Sequence, residues 1–132
     1  MPHAKLRGEI PLPEVWKSPP ALRFSVPEED LHVKFLEAFL GGAERSLLLR
    51  YVVAEGRLNQ TVGVLLAVAE DGWILKLDTA CSTLRSPGVK LLLATVAAWL
   101  ERKGLEAVSS TMEAYRARGA FYAEHAEGQE AP

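Results

Sequence analysis

The chain has 132 residues, 48% of them hydrophobic and 24% charged, with 15 basic against 17 acidic side chains and a formal net charge of −2. That length suits one domain with a sizeable core, and the composition is too apolar for intrinsic disorder. The charge balance excludes the broad positive field that draws proteins to nucleic acid or anionic lipid, and no uncharged run approaches the ~20 residues of a membrane-spanning helix.

The first twenty residues carry Pro2, Pro11, Pro13, Pro19 and Pro20, which break any long helix and favour an extended path. Leu6, Ile10, Leu12, Val15 and Trp16 lie among them, so an ordered arm over the body or over a second subunit is expected, on a single domain of 1–132. The segment lacks the apolar stretch of a secretory leader, and Cys81, the only cysteine, has no partner for an intrachain disulfide; a cytoplasmic location is expected. Only three amide side chains occur, Asn59, Gln60 and Gln129, a depletion that leans toward a heat-adapted source.

ALRFSV (21–26) alternates, with Leu22, Phe24 and Val26 on one side, and reads as a strand. SVPEEDLHVKFLEAFLGG (25–42) reads as a helix: Ser25 as cap, Pro27 and three acids in the first turn, Leu31, Phe35, Ala38 and Phe39 at helical spacing, and Gly41-Gly42 as the stop. Three strand-like runs follow at 45–54, 60–69 and 73–78, the last two joined by a hairpin signal at Asp71-Gly72. The middle run is apolar on both faces, Val62, Val64, Leu66 and Val68 on one and Gly63, Leu65, Ala67 and Ala69 on the other. A one-sided antiparallel strand alternates instead, so a cover for the second face is expected, from the arm or from a second copy.

Residues 86–104 read as a helix with Ser86 as cap, Pro87 in the first turn and a stripe of Val89, Leu92, Leu93, Val96 and Leu100. LEAVS (105–109) reads as a short strand, and 109–126 as a third helix with the capping-box spacing Ser110/Glu113 and an interior Gly119; the tail EGQEAP is expected to fray. The expected fold is α+β: a mainly antiparallel sheet of three to five strands in the order β-α-β-β-β-α-(β)-α, with helices mostly on one face.

No catalytic constellation stands out. His3, His32 and His125 are not placed beside Cys81 by the sequence, and no paired Cys/His spacing implies a metal, so neither cofactor nor metal is expected. The loop 77–90 holds the best candidate ligand site: Arg85, Ser86, Gly88 and Lys90, two cations and exposed amides where a helix begins, a seat for a small anion. The order strand, hairpin, strand, Arg85-Ser-Pro-Gly88, helix, short strand and ARGAFYAEH (117–125) also resembles the C-terminal part of GNAT-type N-acetyltransferases. That resemblance implies a pyrophosphate of acetyl-CoA held at Arg85 and Gly88, with Tyr122 as general acid. Two functions are therefore expected in order: a small non-enzymatic binding or protein-interaction module, dimeric, with no nucleic acid or membrane partner; and an acyltransferase-like domain binding CoA at the Arg85–Lys90 loop.

Overall fold

A computed structural model describes residues 2–78 and 83–129. The chain is α+β, built on a seven-stranded antiparallel sheet curled into a half-barrel, with two main helices. The strands are β1 (His3–Arg7), β2 (Arg23–Val26), β3 (Leu31–Leu40), β4 (Ser46–Glu55), β5 (Leu58–Ala69), β6 (Gly72–Leu77) and β7 (Glu106–Ser110). The helices are α1 (Leu12–Lys17), α2 (Pro87–Arg102) and α3 (Arg116–Gln129). The sheet runs β2-β3-β4-β5-β6-β1-β7, a five-strand meander extended by the N-terminal strand and closed by the last one.

The sheet has more strands than the sequence reading expected, and the largest correction is at 25–42. It is no helix: β2 and β3 form a hairpin in which Val26 faces Leu31 and Phe24 faces Val33. Pro27–Glu29 make a single 3-10 turn and Asp30 closes it in the left-handed region, with φ of 48°. The acids attributed to a helix N-terminus therefore belong to a turn. The helical spacing has its own cause in a β-bulge: the register with β4 slips between Phe35 and Glu37. Leu36 is the extra residue, which shifts the inward set from Leu31, Val33 and Phe35 to Ala38 and Leu40. A strand broken in phase this way carries apolar residues three and four apart, which is the helix signature.

The N-terminal segment is a structural part of the sheet. β1 pairs with β6 on one side and β7 on the other, and Ala4, Leu6, Ile10, Leu12 and Val15 are all buried. Pro13 sits in the first turn of α1, so one short helix coexists with the prolines. The β5–β6 turn lies one residue earlier than the sequence pattern placed it. Ala69 pairs with Gly72, leaving Glu70-Asp71 as the loop. The third helix also starts later: Ser109 and Ser110 belong to β7, and the Ser110 hydroxyl accepts from the Met112 amide instead of closing a capping box on Glu113.

α2 begins and ends where the sequence places it and carries the core. Val89, Leu91, Leu92, Leu93, Val96 and Leu100 are buried against Leu49, Val64, Leu66 and Leu75 of the sheet in one cluster. It is buried nearly all round because the concave sheet face covers one side and α3 the other. No helix among the described residues is long and apolar enough to cross a membrane.

Candidate functional site

The four candidate residues sit at the N-terminus of α2, and the structure divides them into two pairs. Ser86 is the N-cap: its hydroxyl accepts from the Val89 amide at 3.3 Å and donates to the carboxylate of Glu55, the last residue of β4. The other Glu55 oxygen accepts from the Gly88 amide at 3.1 Å. The exposed helix amides that attract an anion thus meet one supplied by the protein itself. Gly88 is buried, and a Cβ there would lie 2.6 Å from the Glu55 carboxyl carbon and 2.7 Å from a Leu31 methyl. The glycine makes room for Glu55.

Arg85 and Lys90 face elsewhere. Both line an open cleft of about 490 Å³, together with Pro2, Thr111, Met112 and Tyr115. The cleft lies between the start of α2 and the link from β7 to α3. Its far wall is fixed by Thr111, whose hydroxyl accepts from the His3 amide at 2.9 Å and donates to the His3 carbonyl at 3.2 Å. Among the described residues the Arg85, Lys90 and Tyr115 side chains have no hydrogen-bonding or ion-pair partner, so two positive charges and a phenol face the same space.

The approach to this cleft is held by Gln60. Its side-chain amide donates to the Leu84 carbonyl at 3.2 Å, and its carbonyl oxygen accepts from the Leu84 amide at 3.1 Å. This two-way clamp mimics one step of a β-ladder, and it gives one of the chain's few amide side chains a definite role. Cys81 and its neighbours at 79, 80 and 82 lie outside the described residues.

A second groove, of about 390 Å³, runs past Trp73 and Val108, with Lys5 and Arg7 facing Glu70 and Asp71. Its mixed charges give it no preference for an anion. Among the described residues no group of three metal-ligating side chains comes together.

Tyr122 is not among the residues that line the Arg85 cleft. Its ring stacks on Phe24 of β2 at 4.6 Å and meets Phe121 edge-on at 5.1 Å. β1 stands between β6 and β7, so the strand before the Arg85 loop and the short strand after α2 are not neighbours. No family model, curated protein or solved structure matches the chain.

Proposed function

We propose that this protein is a small non-enzymatic binding module that works as a homodimer and takes a small anionic ligand in the cleft of Arg85, Lys90 and Tyr115. The observation that carries the reading is the convergence of two unpartnered cations on one cleft whose volume, about 490 Å³, is that of a small-molecule site. Arg85 offers a planar fork of donors and Lys90 a mobile point charge, a pairing suited to phosphate or carboxylate. Glu55 contributes by exclusion: it neutralises the α2 amides, so a ligand anion depends on the two side chains alone. The dimer is supported by the apolar second face of β5, which the N-terminal segment does not cover because it lies within the sheet as β1.

The test is thermal unfolding with inorganic phosphate, pyrophosphate and CoA, on the wild type and on Arg85→Ala/Lys90→Ala. At a ligand concentration 100 times Kd, binding stabilises by about 2.7 kcal/mol, a shift of several degrees that the double variant should lose. No shift with any of the three overturns the anion reading. A shift confined to CoA, with turnover of an acyl donor, would favour the acyltransferase alternative.

A further inference from the structure

Met112, on the wall of the Arg85–Lys90 cleft, also lines a second space, a cavity of about 60 Å³ among Ala4, Ala94, Ala97 and Ala107. Each segment that borders the cleft runs on into this cavity. On α2, Lys90 lines the cleft while Ala94 and Ala97 line the cavity, at the i, i+4, i+7 spacing of one helix face. At the N-terminus Pro2 lines the cleft and Ala4 and Leu6 the cavity, buried residues at two-residue steps along one face of the extended chain. Between β7 and α3, Thr111 and Tyr115 belong to the cleft and Ser110 to the cavity, with Met112 in both.

The two spaces differ in chemistry. The cavity far exceeds the ~10–15 Å³ that one water requires, and its wall is mostly alanine methyls. The Ser110 hydroxyl beside it already accepts from the Met112 amide at 2.9 Å, so water finds few partners there. An apolar space of this kind stays dry and takes an apolar guest. Its charged rim is Arg116, 3.6 Å from both Glu101 and Glu113. Two acids against one base leave that rim negative, whereas Arg85 and Lys90 make the cleft positive. Glu55, at the cleft end of α2, is engaged by Ser86 and Gly88. A ligand with a charged head and an apolar tail therefore fits in one direction only.

The residue common to both spaces is suited to yield. Met112 is 3% exposed, and its main chain is held on both sides, by the Ser110 hydroxyl and by the Tyr115 amide, which donates to its carbonyl at 2.9 Å. Its side chain is unbranched, with three rotatable bonds, and repacks readily around a guest.

We infer that cleft and cavity form one site for a short-chain alkyl or acyl anion, with a phosphate or carboxylate head between Arg85 and Lys90 and the tail past Met112 against Ala94 and Ala97. This rests on the anion reading of the cleft and adds the tail. Lys90 and Ala97 are ~10 Å apart along the helix axis. A phosphate ester of about six carbons spans that distance, through about seven zigzag bonds of ~1.5 Å each. The rim of Arg116, Glu101 and Glu113 ends the apolar wall, so a much longer chain gains no further contact.

Titration calorimetry with inorganic phosphate and with butyl, hexyl and decyl phosphate tests this on the wild type, Ala97→Val, Ala107→Val and Arg85→Ala/Lys90→Ala, with circular dichroism to confirm folding. Affinity should rise by up to about fourfold per buried methylene from phosphate to hexyl phosphate, then level off at decyl phosphate. Ala97→Val and Ala107→Val narrow the cavity from α2 and from β7; each should bring hexyl phosphate toward the affinity of phosphate, leaving phosphate binding unchanged. If one of them does not fold, the other decides. The double variant should lose every ligand. Equal wild-type affinity for phosphate and hexyl phosphate overturns the tail site and leaves the anion reading intact. A chain-length gain that survives in the folded valine variants, or that continues undiminished to decyl phosphate, also overturns it. No binding of any of the four overturns both readings.

Discussion

Glu55 and Gly88 are bound to each other across the fold, carboxylate to amide at 3.1 Å, with the Ser86 hydroxyl on the second carboxylate oxygen. The end of the β4–β5 hairpin thereby caps the main core helix. Glu55→Ala removes a charged acceptor from the first turn of α2, a loss of about 1–2 kcal/mol for a partly solvated site. Glu55→Gln keeps an acceptor and should fall between, while Glu70→Ala, in the exposed β5–β6 turn, should change stability by less than about 0.5 kcal/mol. Urea unfolding measures all three; a wild-type midpoint for Glu55→Ala would remove the cap from the account.

Gly119 explains itself by where α3 crosses α2. A Cβ at this buried position would lie 2.7 Å from the backbone carbon and oxygen of Ala94. Gly119→Ala should gain about 1 kcal/mol of helix propensity yet destabilise the protein by about 1–3 kcal/mol net, because the helices must separate. Adding Ala94→Gly should not restore stability, since the obstruction is main chain. Full rescue in the double variant, by calorimetry, would contradict the close crossing.

Tyr51 ties the N-terminal segment to the middle of the sheet. Its ring is fully buried and its hydroxyl donates to the Pro20 carbonyl at 2.6 Å. Tyr51→Phe removes one of two donors from that carbonyl, which keeps the Leu22 amide at 2.8 Å, a loss of about 1 kcal/mol by urea unfolding. The far-ultraviolet spectrum should be unchanged, because the Phe35 edge contact at 5.4 Å needs only the ring.

A small cavity of about 60 Å³ lies between β1, α2 and α3, lined by Ala4, Ala94, Ala97, Ala98 and Ala107. Ala97→Val adds two methyl groups, worth about 1.6 kcal/mol when buried, against about 0.6 kcal/mol of lost helix propensity. The melting temperature should rise by a few degrees; a fall would mean that the surrounding wall does not yield to the added volume.

What the sequence made legible is what local pattern determines. α2 was readable from Ser86 to its last turn because the cap, Pro87 and the apolar stripe agree. β2, β4, β5, β6 and β7 were readable from alternation or from short β-rich runs. β3 was misread because a bulge resets strand phase and counterfeits a 3.6-residue period. β1 was hidden by prolines that border it without entering it, and its partners lie some 70 and 100 positions away. At the candidate site Glu55 left no local trace of its role: nothing about a glutamate before Gly56 says which helix it will reach. Arg85 and Lys90 line one cleft, which is completed by Tyr115 and Pro2, distant from them in sequence.

The position of β1 also governs how the molecule can be made. Its hydrogen bonds reach from His3 to Thr111, a separation of 108 residues, so Lys5 waits for Ser109 before its strand has both neighbours. The β2–β6 meander can assemble from contiguous chain while synthesis continues, but β7 can join the sheet only after β1 has paired with β6, because β1 is its sole strand neighbour. Loop-closure entropy of that length makes the last step slow and cooperative. A nascent chain would therefore pass through a state with β1 unpaired on one edge, the interval in which it is most open to joining another molecule's strand.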